Sequence, residues 1–165
     1  MNPNPFKNIL KKKCVIVGVG NPLKGDDGIG PALVERLQGR IEGTCINSES
    51  APENYTGKIK RENPDTILIV DAVHLGRSPG EYEILEKDDL LTGGLTTHAL
   101  SPAMFIEYLE NETKANIYLL GIQPESLKFG EPLSEKLEKT LALLTELITI
   151  ARPKKPLIVK SAEGV

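Results

Sequence analysis

The chain has 165 residues, of which 39% are apolar and 26% charged, and its formal net charge is −3. This length and composition are typical of one globular domain with a sizeable core, and they exclude a disordered chain. The mildly acidic balance, without a basic face that carries interleaved aromatic residues, argues against a nucleic-acid partner.

Apolar strand-like runs alternate with helical patterns, which indicates a single α/β domain with a mostly parallel sheet. The first half predicts a strand at about 14–19, a helix from about 28 to 37 or 40, a weaker strand at 44–47, a short helix capped by Ser50 and ending near 61, and a buried strand at 66–70. The second half predicts an alternating strand at 81–86, a helix capped by Ser101 and ending near 110, a strand at 116–120 and a last helix at about 134–151.

The strand at 81–86 follows a short connection from the strand at 66–70, so we expect it to be an edge strand that runs antiparallel to that strand. The domain is expected to span residues 14–151. It follows an N-terminal extension at 1–13 and precedes a flexible tail at 152–165, which is rich in proline and lysine.

The sequence also indicates a cellular compartment. No apolar run approaches the ~20 residues of a spanning helix, and we expect no membrane segment. Cys14 and Cys45 lack Cys-x-x-Cys spacing. We expect them to be small buried side chains in a reducing compartment, and therefore a cytoplasmic protein.

The loop at 18–28 is the most informative segment, because it joins the first strand to the first helix. Its glycines suggest a nucleotide-binding turn, but Pro22 and Leu23 stand where the dinucleotide spacing needs a third glycine. The loop ends in Asp26 and Asp27, and a pair of carboxylates repels phosphate and attracts cations. The segment therefore indicates a metal site and argues against a dinucleotide site.

Further candidate ligands follow later elements. In open α/β sheets, sites form at the carboxyl ends of the strands. If the first and third strands are neighbours, Asp26 and Asp27 meet Asp71 there, and His98 lies in the loop before a later helix. Two carboxylates and an imidazole make an open site for a divalent transition metal, unlike the closed thiolate sites of structural zinc. His74 is a further candidate, although no other feature of the sequence fixes its direction.

Each of these residues also has a structural alternative. Asp71 at a strand end is a potential cap for the following loop. The pair Asp26 and Asp27 would favour the positive end of the next helix. His98 would be an ordinary packed or surface histidine. Their common location at strand ends is what favours the site.

Five segments carry a resemblance to a known family. They are GVGNPLKGDDGIGP at 18–31, SAPEN at 50–54, IVDA at 69–72, TTH at 96–98 and LGIQP at 120–124. With these segments in this order and spacing, the chain resembles the [NiFe]-hydrogenase maturation endopeptidases from about Cys14 to Ile150. The branch it resembles most serves hydrogenase 3 of the formate hydrogenlyase type.

The resemblance implies a three-layer domain: a twisted five-stranded sheet with one antiparallel strand and helices on both faces. It implies that Asp27, Asp71 and His98 are the metal contacts. Asp26 is not among these contacts, and we expect it to be a free carboxylate that assists proton transfer, so Asp26 and Asp27 are the candidate catalytic residues. The implied substrate is the nickel-loaded precursor of the hydrogenase large subunit, which loses a short C-terminal extension by one cleavage. Because the substrate carries the nickel, we expect no permanently bound metal, and we expect a monomer.

Three points stay open in the sequence. Relatives commonly carry an acid and two glycines where this chain has Asn47, Ser48 and Glu49, so Glu49 or Glu53 is a possible replacement for that acid. Nickel would act either as a docking point or as a Lewis acid. The alternative functions are a non-catalytic nickel-binding accessory protein, which would bind free nickel tightly and cleave nothing, and a small peptidase with its own zinc.

Overall fold

A computed structural model describes residues 3–92 and 102–156 of the chain. Its strands form one sheet in the order β2-β1-β3-β5-β4. The strands are β1 (Cys14–Val19), β2 (Thr44–Glu49), β3 (Thr66–Ala72), β4 (Tyr82–Leu85) and β5 (Asn116–Ile122). The helices are α1 (Phe6–Ile9), α2 (Ile29–Leu37), α3 (Thr56–Glu62), α4 (Lys87–Thr92), α5 (Pro102–Glu112) and α6 (Glu135–Ala151).

The two central strands explain why the sheet is mostly parallel. Every residue of β1 and β3 is buried, as expected for strands that are covered by helices on both faces. β1 pairs in parallel with β2 and β3, and β3 pairs in parallel with β5. Neighbouring parallel strands bring their carboxyl ends to one edge of the sheet, and this edge carries the site described below.

Alternate residues of the strands enter two separate cores, which gives the domain three layers. One core joins the sheet to α1, α2 and α6, and includes Phe6, Leu33 and Leu144. The other joins it to α3 and α5, and includes Ile59 and Ile106. The predicted α/β fold, with a five-stranded sheet and helices on both faces, is confirmed.

The predicted antiparallel edge strand is confirmed. β4 lies at the edge of the sheet and runs antiparallel to β3, but the strand that it pairs with is β5. β3 has no free edge, since β1 and β5 occupy its two sides. The chain after β3 crosses the end of β5 instead, where Val73 N–H donates to the Ile122 carbonyl (2.9 Å) and Gly80 N–H donates to the Gln123 carbonyl (2.9 Å).

Several boundaries differ from the predicted ones in a consistent direction. β2, β3 and β5 each extend two residues further at the carboxyl end, so Asp71 lies within β3 instead of terminating it. The helix predicted from Ser50 begins as a 3-10 turn at Pro52–Tyr55, and no side chain caps it. These extensions lengthen the carboxyl edge of the sheet.

Both terminal segments contact the domain. Phe6 and Leu10 are buried against the α6 side of the sheet, so part of the predicted N-terminal extension belongs to the core. Arg152 donates from Nε to the Glu42 carbonyl (3.1 Å) and from its guanidinium to the Lys12 carbonyl, which fixes the first residue of the predicted tail. Within the described residues, no helix has the length and apolar character needed to cross a membrane.

Candidate active site

Asp27 and Asp71 meet at the carboxyl edge of the sheet, as the sequence predicts. Asp71 is the penultimate residue of β3, and Asp27 lies in a 3-10 turn, Gly25–Gly28, between β1 and α2. Asp27 accepts a hydrogen bond from the Asn21 backbone N–H at 2.7 Å, which ties its carboxylate to the start of the same loop. Only 8% of Asp27 and 3% of Asp71 is exposed.

Two glycines allow the loop to lie this close to the strand ends. Gly20 has φ +142°, and a Cβ there would stand 1.8 Å from the Asp27 carbonyl oxygen. A Cβ on Gly30, in the first turn of α2, would stand 2.4 Å from the Val70 carbonyl oxygen and 2.5 Å from that of Val19. Any side chain at either position would push the loop or α2 away from β1 and β3, and would separate Asp27 from Asp71.

The two carboxylates repel each other in a poorly solvated place. Burial raises the pKa of Asp71 well above its ordinary value, and the charge of Asp27 raises it further. A hydrogen bond from the Ala72 backbone offsets part of this effect. A divalent cation between the two carboxylates would lower the pKa of both, because it favours their ionised forms.

Asp26, the neighbouring acid, has a different environment. It is fully buried, and its carboxylate accepts four hydrogen bonds: from Glu125 N–H (2.8 Å), Ser126 N–H (3.1 Å), Ser134 N–H (2.7 Å) and the Ser134 hydroxyl (2.9 Å). Ser134 is the N-cap of α6, so the carboxylate also lies at the positive end of a long helix. Both oxygens of the Asp26 carboxylate are thus occupied within the domain, and the catalytic role suggested for Asp26 stays a prediction.

The remaining predicted ligands are the two histidines, His98 and His74. His98 lies outside the described residues. His74 is exposed in the segment after β3. Within residues 3–92 and 102–156, no group of three or more histidine, cysteine, aspartate or glutamate side chains is arranged to hold a metal ion. The described part of the site therefore contributes the Asp27–Asp71 pair.

Sequence reasoning missed two residues that shape this edge. Ser134 was predicted only as the start of the last helix, yet it binds Asp26 through both its N–H and its hydroxyl. Gln123 accepts from Leu75 N–H (2.6 Å) through Oε1, which holds the segment that follows Asp71 against the end of β5. The only available signal for Gln123 was its place in the LGIQP segment at the end of a strand.

The residues that replace the expected acid also lie at this edge. Ser48 is buried and donates to the Gly18 carbonyl (2.9 Å), and the Glu49 carbonyl accepts from Gly20 N–H (2.8 Å). Glu49 has a left-handed backbone conformation, with φ +47°. The side chains of Glu49 and Glu53 are exposed. Their suggested replacement of the acid stays a prediction.

The fold and the site together define an α/β protein with a buried carboxylate pair at the carboxyl edge of its sheet. A family model described as hydrogenase maturation protease matches residues 31–151. The chain belongs to this family and is a peptide-bond hydrolase of the maturation endopeptidase type.

Individual relatives agree with this assignment. The chain is 35% identical over 127 residues to the hydrogenase 3 maturation protease of Escherichia coli K12, covering 75% of this chain and 81% of the relative. It is 33% identical over 159 residues to a putative hydrogenase maturation protease of Methanocaldococcus jannaschii, covering 86% and 93%. The crystal structure of the [NiFe] hydrogenase maturation protease HycI from Thermococcus kodakarensis superposes with a TM-score of 0.80 at 34% identity, covering 88% and 96%.

Proposed function

We propose that this chain removes the C-terminal extension from a nickel-loaded precursor of a [NiFe]-hydrogenase large subunit. Its membership in the maturation protease family supports the general reaction, which is cleavage of a peptide bond in a hydrogenase precursor. The observation that carries the nickel-dependent part is the buried pair of Asp27 and Asp71 at the ends of adjacent strands. We also propose that the reaction takes place in the cytoplasm, which the two free cysteines support.

The electrostatics of this pair favour a cation that arrives with the substrate. Two ionised carboxylates in one poorly solvated site are unfavourable, and nickel held by the precursor would remove that penalty when it docks. Oxygen ligands compete weakly for nickel against the thiolate ligands of a hydrogenase large subunit. The pair therefore senses the metal without removing it from the precursor.

His98 is the third contact in this proposal. The imidazole of His98 would add a nitrogen ligand, which nickel prefers to a third carboxylate oxygen. Together with Asp27 and Asp71 it leaves positions on the metal open for the ligands of the precursor. The enzyme then needs no metal of its own.

Nickel-loaded and nickel-free precursors provide the test, with cleavage followed by the mobility shift on a gel. The loaded precursor should be cut, and the nickel-free form should remain intact. Asp27→Ala, Asp71→Ala and His98→Ala should each abolish processing, whereas the matched control His74→Ala should process normally. Equal cleavage of the two precursors would refute nickel sensing, and loss of processing in His74→Ala alone would refute the ligand set.

A metal exchange in the precursor separates the two uses of nickel. If the ion polarises the scissile carbonyl, the rate of the chemical step should depend on which divalent metal is present. If the ion only docks the substrate, the exchange should change KM while kcat stays nearly constant.

A further inference from the structure

Two large apolar side chains are exposed on loops beside the site. Leu23 lies in the loop between β1 and α2 and is 60% exposed, and Phe129 lies in the loop between β5 and α6 and is 74% exposed. We call this pair, Leu23 and Phe129, the apolar lip. Neither side chain contributes to the two cores, so packing within the domain does not explain their apolar character.

Backbone hydrogen bonds join the two halves of the apolar lip. Gly130 N–H donates to the Leu23 carbonyl at 2.7 Å, and Gly25 N–H donates to the Glu131 carbonyl at 3.0 Å. Asp26 adds a third bond from its N–H to the Ser126 carbonyl (2.8 Å), beside the bonds that its carboxylate accepts. The two loops therefore form one unit.

Each apolar residue is also fixed within its own loop. Leu23 N–H donates to the Asn21 side chain at 2.9 Å. Phe129 stands in a tight turn closed by a bond from Glu131 N–H to the Lys128 carbonyl (3.3 Å), with Gly130 at φ +88°. Rigid presentation lowers the entropy lost when a partner binds, which is typical of a recognition surface.

The apolar lip is continuous with the Asp27–Asp71 site. Asn21, which anchors Leu23 through its side chain, donates its backbone N–H to the Asp27 carboxylate. Lys24, the next residue after Leu23, accepts from Asp27 N–H through its carbonyl at 3.1 Å. Leu23 therefore belongs to the same hydrogen-bonded loop as the Asp27 carboxylate.

Positive charge flanks the apolar lip. Lys24 follows Leu23, Lys128 precedes Phe129, and both lysines are exposed. Neither forms an ion pair with any residue in the described parts of the chain. A ligand that covers the apolar lip would thus meet two available ammonium groups.

We propose that the apolar lip, with Lys24 and Lys128, binds a segment of the precursor that carries a large apolar side chain next to an acidic group, close to the scissile bond. This inference rests on the proposed function and adds a determinant of substrate choice. The apolar side chain covers Leu23 and Phe129, and the acidic group lies between the two lysines. Recognition by the lip is separate from recognition of nickel.

Steady-state cleavage of the nickel-loaded precursor tests the apolar part. Leu23→Ala and Phe129→Ala should each raise KM about tenfold with little change in kcat, the loss expected when one apolar contact is removed from an interface. Ile150→Ala is the matched control, because Ile150 is 51% exposed but lies at the far end of α6, and its KM should equal that of the wild type. Far-UV spectra and urea midpoints should be the same for all three variants.

The charged part has its own variants. Lys24→Gln combined with Lys128→Gln should raise KM severalfold at low ionic strength, and the effect should shrink as salt is added. Lys7→Gln, an exposed lysine on α1, should have no effect. A lysine pair with wild-type KM at every salt concentration would overturn the acidic part of the proposal.

The outcomes separate this inference from the proposed function. If the wild type cuts the loaded precursor and both lip variants have wild-type KM, the apolar lip is not a substrate site. If the wild type self-associates in sedimentation and Phe129→Ala abolishes the association without changing KM, the lip is a dimer interface and the proposal is overturned. If the wild type cuts no precursor, the proposed function is wrong and this inference fails with it.

Discussion

Removal of the Asp26 carboxylate should destabilise the domain strongly, because this side chain connects the loop that carries Asp27 to the start of α6. In Asp26→Ala, three backbone N–H groups, those of Glu125, Ser126 and Ser134, lose their acceptor. These donors are only partly buried, so each should cost about 1 kcal/mol, the low end of the range for an unsatisfied group. The lost interaction with the positive end of α6 adds about 0.5 kcal/mol. We therefore expect the free energy of unfolding to fall by about 3–4 kcal/mol.

More conservative changes should produce a graded series. Asp26→Asn retains one acceptor oxygen but places an amide NH₂ against a backbone donor, for which we expect a loss of about 2 kcal/mol. Ser134→Ala removes one hydroxyl donor and the cap of α6, for which we expect about 1 kcal/mol. Because Asp26 and Ser134 share a hydrogen bond, the double variant should lose less than the sum of the single losses.

Urea denaturation followed by circular dichroism measures these losses, and cleavage of the loaded precursor below the unfolding range measures activity. Asp26→Asn should retain most of its cleavage wherever it is folded, since its role is to position the loop. Wild-type stability in Asp26→Ala would refute the structural role. Complete loss of cleavage in an Asp26→Asn enzyme of wild-type stability would instead support the catalytic role that the sequence suggested for Asp26.

Three further predictions use the same denaturation assay. The pKa of Asp71 is higher in the folded protein than in the unfolded chain, so protonation of Asp71 stabilises the fold. This stabilisation is complete at pH values below the ordinary pKa of about 3.9, and it is lost as the pH rises through the raised pKa of the folded state. Asp71→Asn should therefore be more stable than the wild type at pH 8, by about 1 kcal/mol, and similar to it at pH 3.5; an equal difference at both pH values would contradict this. Glu49→Gly should gain about 0.5 kcal/mol, because glycine accepts φ +47° without strain, and a loss would show that the Glu49 side chain contributes stability. Phe6→Ala should lose about 3–4 kcal/mol because Phe6 is fully buried, and a loss near zero would mean that α1 does not pack in solution.

The central part of the fold could be predicted from the sequence, because its strands carry their signal locally. β1, β3 and β5 each contain a continuous apolar run that is followed by glycine or aspartate, and such runs suit strands covered on both faces. The meeting of Asp27 and Asp71 followed from the general location of sites in parallel sheets. It needed no knowledge of individual contacts.

The burial of Phe6 and the pairing of β4 were not predicted from the sequence, because both depend on contacts between residues that are far apart in the chain. Phe6 lies in a helix of four residues, which is too short for a periodic pattern, so its burial depends on α6. The pairing of β4 depended on which strand had a free edge, and that information is contained in the order of the whole sheet. A hydrophobic pattern that repeats every second residue identifies a strand but not its neighbour.

The difference between Asp26 and Asp27 was also beyond local inference. Both residues lie in one 3-10 turn, and successive side chains on such a turn project about 120° apart. One carboxylate therefore faces β3 while the next faces the start of α6. The partner that identifies Asp26 as structural, Ser134, is 108 positions away along the chain.

The different environments of Asp26 and Asp27 explain how the domain keeps two buried carboxylates, Asp27 and Asp71, close together. Two negative charges on Asp27 and Asp71 repel each other in this buried place, and the pair would separate if the loop were free to move. The four bonds at Asp26 and the close approach of Gly30 to β1 and β3 prevent that movement. The hydrogen bonds of Asp26 thus hold Asp27 beside Asp71 against this repulsion. A site built in this way gains most from a ligand that brings its own positive charge, which is the property that a nickel-loaded substrate would supply.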